Sequence, residues 1–228
     1  MKSIKNQRST VAGRKNKISS AVIHRLPRYF RYLRELMQSN VPRISSGELS
    51  ERMNTTASQI RQDFNCFGEF GQQGYGYNVS YLHSQISDIL GVTEHYKAII
   101  IGTGNLGRAL ARSKIFVNRG MTLTALFDVD PAIVGKKFDD IFVYDMTELE
   151  RYCEETGVDI VVLTMPRDRA IDIVKRLSGT GIKGIWNFTG AEISKSVCKK
   201  PIENVHMGDS LMTLCYKIKT ANEGKTEK

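Results

Sequence analysis

The sequence predicts an α/β protein in two parts: an N-terminal winged-helix domain and a C-terminal Rossmann domain on a mostly parallel sheet. Three observations predict it. The first 91 residues carry helical periods and close on a run in which Gly alternates with aromatic and polar residues. From residue 92 onward, β-branched runs alternate with helical periods, the pattern of a parallel α/β sheet. The first of those runs enters a G-x-G-x-x-G turn that opens a helix. The expected divisions are a basic tail at 1–17, the winged helix at 18–91, the Rossmann domain at 92–207, a closing helix at 208–220 and a second tail at 221–228.

The tail comes first. Residues 1–17 hold Lys2, Lys5, Arg8, Arg14, Lys15 and Lys17 and no acid, which is most of the chain's net charge of +9. Such a run is either a solvated tail or an arm that adds nonspecific attraction to phosphates. Val22, Leu26, Phe30, Leu33 and Met37 then form one apolar helical stripe, which Pro27 is expected to kink or to start. Arg25, Arg28, Arg31 and Arg34 recur every third residue on another face. Val41-Pro42 ends that element. Ser45 or Ser46 can cap a short helix holding Leu49 and Met53. After a turn at Asn54, Thr55 or Thr56 can cap a third helix with Ile60, Phe64 and Phe67 inward, and Gly68 is the expected left-handed stop.

Two short helices joined by a tight turn make a helix-turn-helix pattern. The second leaves Ser58, Gln59, Arg61 and Gln62 off its apolar side. Arg can fork onto guanine and Gln onto adenine, and these residues occupy the turns that enter a major groove. The run from Gly68 to Tyr77 reads as a hairpin wing whose Gln72, Gln73 and Tyr75 can touch phosphates or the minor groove. Leu82, Ile86 and Ile89 give one more helix before the joint at 91–93.

In the second part, Ala98 to Ile101 is a buried strand that runs into Gly102-Thr103-Gly104-Asn105-Leu106-Gly107. Gly102 permits the tight turn, Gly104 lets backbone N–H groups approach a pyrophosphate, and Gly107 permits close helix–strand packing. The helix N-terminus adds a positive dipole end. Leu106, Leu110 and Phe116 are expected inward. A second strand, Leu123 to Phe127, ends in Asp128, 26 residues after Gly102, near the usual spacing of about 20 for the acid that accepts from the adenosine ribose. Asp130 can share or take that role. An acid there repels a 2′-phosphate, so NAD(H) is expected over NADP(H). Strands at 159–164 and 184–188 follow, with Ala170, Ile173, Val174 and Leu177 on the helix between them. Ligands of such sheets lie beyond the carboxyl ends of strands, so Thr164, Met165, Pro166 and Asn187 are expected at the cofactor, with Val129 beside Asp128.

Composition narrows the classes. Hydrophobic residues make up 41% and charged residues 25% of the 228, which fits a packed core. No apolar run reaches the roughly 18 residues of a membrane span, and the N-terminus has no signal-peptide apolar region. Cys66, Cys153, Cys198 and Cys215 show no C-x-x-C or zinc-ligand spacing, so reduced thiols in the cytoplasm and no metal site are expected.

Several segments together resemble the redox-sensing transcriptional repressors called Rex. They are the run from Ala21 to Tyr29, Gln59-Ile60-Arg61-Gln62-Asp63, Phe67 to Gly71, Gly74-Tyr75-Gly76-Tyr77 and the Gly102–Gly107 turn. Phe127 to Pro131, Gly181 to Ile185 and Glu203-Asn204-Val205 complete the set. The resemblance covers most of residues 18–216. It implies a homodimer whose C-terminal helix, here about Gly208 to Thr220, swaps onto its partner. It implies repression at palindromic double-stranded operator DNA. NADH would close the Rossmann domains and release the DNA, while NAD+ competes and favours the bound form. The chain departs from the family at Gln62, where Lys is usual, at Ser113, where many members carry Tyr, and at His206, where many carry Asp.

The function expected is therefore a cytoplasmic repressor that senses the NADH/NAD+ ratio with NADH and NAD+ as ligands and without catalytic residues. Its expected DNA contacts are Arg25, Ser58, Gln59, Arg61, Gln62, Gln72, Gln73 and Tyr75. The alternative is an NAD-dependent oxidoreductase with an N-terminal helical extension. Against that alternative, about 40 residues remain after Asn187, too few for a typical catalytic domain.

Overall fold

The computed structural model describes residues 19–67, 71–72 and 75–226. The chain forms two compact units that divide between Gly91 and Val92.

The first unit begins with α1 (Ser20–Gln38), capped by Ser19, whose side chain accepts from Val22 N. Pro27 lies inside this helix and neither starts nor ends it. One lost N–H bond is offset by the buried row Val22, Leu26, Tyr29, Leu33 and Leu36. That row corrects the expected stripe: Tyr29 and Leu36 point inward, Phe30 is half-buried and Met37 is exposed. β1 (Arg43–Ile44) follows, then α2 (Ser46–Met53). Ser45 caps α2 in a reciprocal box, accepting from Glu48 N at 3.1 Å while Glu48 Oε2 accepts from Ser45 N at 2.8 Å. Asn54 ends α2 in the left-handed conformation. α3 (Ala57–Asn65) starts at Thr56, whose hydroxyl accepts from Gln59 N at 3.1 Å. Its C-cap is Cys66, in a right-handed conformation, and the expected stop, Gly68, lies outside the described residues.

β2 (Gly71–Gln72), β3 (Gly76–Asn78) and α4 (Val79–Ile89) complete this unit. β3 pairs antiparallel with both β1 and β2, so the hairpin wing is part of a three-stranded sheet. Leu26, Tyr29, Leu33, Ile44, Leu49, Ile60, Phe64, Leu82 and Ile86 are among the residues of its single core. Phe64 lies 4.8 Å from Tyr29 and 5.0 Å from Tyr77, ring centre to ring centre.

The second unit is a seven-stranded sheet. Its first half runs β4 (Lys97–Ile101), α5 (Asn105–Arg112), β5 (Thr122–Asp128), β6 (Lys137–Phe138) and β7 (Ile141–Asp145). Its second half runs α6 (Leu149–Thr156), β8 (Ile160–Leu163), α7 (Arg167–Ser178), β9 (Gly184–Asn187), β10 (Ile202–Asn204) and α8 (Met207–Thr226). The strand order is β10-β9-β8-β4-β5-β7-β6, and every pairing is parallel except β6 with β7. The α/β class with a mostly parallel sheet is the one predicted.

Alternate residues of the central strands serve opposite faces. Ile99, Ile101, Phe127, Val161 and Leu163 join Leu149, Cys153, Val174 and Leu177 of α6 and α7. Ala98, Ile100, Leu126 and Val162 join Phe116 and Trp186 on the other face. A sheet covered on both faces needs continuous apolar strands, which is what these runs are. Of the expected inward side chains, Phe116 is buried just beyond α5, and Leu106 and Leu110 are half-buried. α8 extends beyond the expected 208–220 at both ends, so 221–226 is helix, and 227–228 lie outside the described residues.

Burial in α6 pushes the Cys153 thiol up to about 12, with the nearby Glu150 and Glu154 carboxylates adding to the shift. A thiol with that value carries almost no thiolate at pH 8. Iodoacetamide at pH 8 should modify the exposed Cys66 within minutes and leave Cys153 unmodified until the protein is denatured, as read by peptide mass spectrometry.

Candidate functional site: a dinucleotide turn and a recognition helix

The dinucleotide turn is built where β4 meets α5. Gly102 has φ +95°, and a Cβ there would stand 2.8 Å from the Thr164 carbonyl oxygen. A Cβ on Gly107 would stand 2.1 Å from the Gly102 oxygen and 2.9 Å from Thr164 Oγ1. Thr164 therefore helps to shape the turn: its hydroxyl donates to the Gly102 oxygen at 2.7 Å. Gly104 differs, because a Cβ there would meet nothing within 4 Å. It faces open space at the first turn of α5, and no side chain caps that helix. Uncapped N–H groups beside an unobstructed glycine are the chemistry a pyrophosphate requires, so the residues present fit a dinucleotide.

Asp128 ends β5 beside this turn. Its Oδ2 accepts from Thr103 N at 2.6 Å and from Thr103 Oγ1, and its Oδ1 accepts from Val129 N at 2.8 Å and Asp130 N at 3.1 Å. Burial raises the carboxyl pKa, but the bonds from Thr103, Asp130 and Val129 outweigh it and hold the group below the usual carboxylate range. Val129 is 75% exposed. Asn105 is exposed, Leu106 and Met165 are half-buried, and Pro166 is exposed at the N-cap of α7.

The side chain of Asn187, expected at the cofactor, is bonded within the protein. It is buried, and its amide nitrogen donates to Ala191 O at 2.7 Å and Asn204 Oδ1 at 2.8 Å. Its oxygen accepts from Thr189 N and Thr189 Oγ1. These bonds tie the segment after β9 to β10 and leave the side chain committed within the protein. Residues sequence reasoning missed here include Arg108, which donates to the Thr103 oxygen at 2.7 Å and stacks on Phe138. A lone Arg in a helix carries no signal of that contact.

The candidate recognition helix is α3. Ser58, Arg61 and Gln62 are exposed on it. Arg61 Nη1 donates to Ser46 Oγ of α2 at 3.0 Å, which holds the guanidinium along the surface. Gln59 is half-buried and donates to Asp63 Oδ1 at 2.9 Å. Arg25 is likewise turned inward: Nε and Nη2 each reach Asp63 at 2.7 Å, and its side chain is 27% exposed. Tyr29 OH completes the cluster at 2.8 Å from Asp63 Oδ2. Arg25 is thus a strut between α1 and α3 rather than a free cation. Burial alone would raise the Asp63 pKa, but Arg25, Tyr29 and Gln59 together hold it below its usual value. Tyr29 is pushed well above its own, first by burial and then by the Asp63 carboxylate.

Of the expected wing contacts, Tyr75 is 71% exposed. Gln73 and the side chain of Gln72 lie outside the described residues. Arg43, exposed on β1, donates to the Tyr75 oxygen at 3.1 Å and was not anticipated, because a two-residue strand is too short to show alternation. Among the described residues, no His, Cys, Asp and Glu are grouped so as to hold a metal ion, and no helix is long and apolar enough to cross a membrane.

Two family models match the chain. One, described as "CoA binding domain", covers residues 93–191, and one described as "Putative DNA-binding protein N-terminus" covers residues 17–65. A "Redox-sensing transcriptional repressor Rex" of Clostridium tetani is 48% identical over 214 residues, spanning 92% of this chain and 99% of its own. The chain belongs to the Rex family. A member from Clostridium botulinum (strain Hall) is 52% identical over 202 residues, spanning 88% of this chain and 95% of its own. Among solved structures, a Rex-family repressor called RSP, in complex with beta-NADH, superposes with a TM-score of 0.83 at 43% identity, covering 94% of this chain and 100% of that one. RSP with beta-NAD+ and operator DNA gives 0.82 at 46% identity, covering 93% and 97%. Rex proteins are repressors, so the oxidoreductase alternative is not favoured.

Two expectations test this geometry. Arg25→Ala would leave a buried carboxylate without its charge partner and should cost about 3 kcal/mol in urea denaturation. Both Asp63 and Asp128 have folded pKa values below their unfolded ones. Their stabilisation is complete above the unfolded value of about 3.9 and is lost as pH falls through the folded values. The loss of stability below about pH 4 should therefore be shallower in Asp63→Asn than in the parent chain, measured by denaturation across that range.

Proposed function

We propose that this chain is a cytoplasmic, homodimeric repressor that reads the NADH/NAD+ ratio and binds palindromic operator DNA. The observation that carries the reading is the presence in one chain of a capped recognition helix and an uncapped dinucleotide turn. Ser58, Arg61 and Gln62 supply the base-edge donors and acceptors, and Arg61 or Gln62 can fork onto a base. Tyr75, with Gln72, Gln73 and Arg43, supplies the wing contact. Gly102 to Gly107, Asp128, Val129, Thr164, Met165 and Pro166 surround the cofactor, while Asn187 and Arg25 support these sites from within.

A second copy is supported by α8. Every side chain described on it is exposed, including Met207, Leu211, Met212, Leu214, Tyr216 and Ile218. An apolar surface of that extent marks an interface, and exchange of α8 between two protomers would cover it. A dimer reads a palindrome when its two recognition helices stand about one DNA turn apart, roughly 34–36 Å, or a multiple of it. NADH then acts by population shift. It favours the arrangement in which that spacing is lost, whereas DNA and NAD+ favour the other. Gln62 in place of the usual Lys removes one cation per half-site, which lowers the salt dependence of binding.

Fluorescence anisotropy with a palindromic duplex selected from random DNA tests the proposal. Tight binding without cofactor and with NAD+, and release by NADH, is the expected result. Absence of specific binding under all three conditions would overturn it. Gly107→Ala, whose methyl would meet the Gly102 oxygen, should abolish NADH-dependent release while leaving binding to the duplex intact.

A further inference from the structure

Either of two serines could cap α2 by sequence, and the structure divides the work between them. Ser45 makes both bonds of the reciprocal box with Glu48, so its hydroxyl is committed to the helix start. Ser46 is the first residue of α2, and its hydroxyl is left over from capping. It is half-buried, and its Oγ accepts from Arg61 Nη1 of α3 at 3.0 Å. The bond joins the two helices of the candidate helix-turn-helix.

A guanidinium carries five N–H donors on one rigid plane, so it matters which of them is taken. Two of its edges can make a side-by-side pair of bonds: Nε with Nη2, and Nη1 with Nη2. Arg25 shows the first edge in use, with Nε and Nη2 each 2.7 Å from Asp63. At Arg61 the bond to Ser46 takes Nη1 and so occupies the second edge. Nε and Nη2 carry no hydrogen bond among the described residues, and they remain for the paired acceptors of a base edge. Arg61 is exposed, and its charge acts on Tyr77 of β3, where it opposes the upward push of burial on the phenol pKa. The guanidinium thus has a fixed neighbour on α2 and a second on the wing strand. The Gln62 side-chain amide, the other candidate for a base fork, carries no hydrogen bond among the described residues.

We infer that Ser46 is a positioning residue for base readout: from α2 it holds Arg61 by Nη1 and leaves the Nε–Nη2 edge to fork onto one base. The inference rests on the DNA-binding reading above and deepens it. A long side chain loses rotamer freedom when it is fixed on a partner, and a tether already present in the free protein lowers that loss. Ser46 acts through Arg61, so its effect belongs to the base pair that Arg61 reads and to no other.

The test is fluorescence anisotropy of the full chain and its variants with the selected duplex and with duplexes carrying each single base-pair change. Arg61→Ala identifies the pair that Arg61 reads, as the position where the parent's preference vanishes. Ser46→Ala should keep the parent's melting temperature, because Ser45 retains the cap. It should bind the selected duplex about 3- to 10-fold more weakly, with base preference relaxed at that same pair alone. Ser46→Thr, which keeps the hydroxyl, should restore the preference. In an Arg61→Ala chain, Ser46→Ala should change nothing further. An equal loss on every duplex, additive with Arg61→Ala, would make Ser46 a phosphate contact and overturn the assignment alone. Unchanged preference in Ser46→Ala, or in Arg61→Ala, would overturn it as well. Absence of specific DNA binding by the parent chain would overturn the DNA-binding reading and the assignment with it.

Discussion

A single carboxylate with no exposed surface organises the N-terminal unit. Asp63 is on α3, the proposed recognition helix, yet its partners are Arg25 and Tyr29 of α1 and Gln59 one turn earlier on its own helix. The charge cannot be left unpaired in the interior, so the three partners and the acid must be present together. The consequence is geometric. The face of α3 that carries Ser58, Arg61 and Gln62 is held in one rotation about the helix axis, because the opposite face is pinned by directional bonds as well as by Ile60 and Phe64. Apolar packing alone would permit a range of rotations.

The second unit solves a similar problem with backbone rather than charge. The glycine turn touches the neighbouring strand end at Thr164 and the adjacent strand at Asp128, each through hydrogen bonds to main-chain atoms. The central strands β4, β5 and β8 each bury side chains in both layers of the core, so the turn sits on the part of the sheet that is packed on both faces. In both units an acid supports the residues around it: Asp63 ties α1 to α3, and Asp128 holds Thr103 of the glycine turn.

Much of this was legible in the sequence. The parallel sheet followed from apolar runs separated by helical periods, and the turn at 102–107 followed from glycine spacing in strand–turn–helix context. What was not legible has physical reasons. Arg25 looked like a DNA cation because periodicity places it off the apolar stripe, but a stripe does not reveal a buried acid 38 residues away. Asn187 looked like a strand-end ligand, and its four bonds go to residues whose proximity depends on how the chain returns to β10. β1, β6 and β7 are too short, or too mixed, to show a period. The α1 stripe was misplaced by less than one turn because Tyr29 can bury its ring and still satisfy its hydroxyl on Asp63.

α8 carries a thermodynamic consequence. An isolated helix of 20 residues in water is marginal, and most helical stability in proteins comes from a buried face. α8 buries none of its described side chains against its own chain. Whatever covers it must therefore supply the free energy that keeps it folded, and that supply obeys mass action. With a second copy as that cover, as proposed, dilution would lower the helix content of the last 20 or so residues before it touched either core, and synthesis level and folded state would be coupled through one segment.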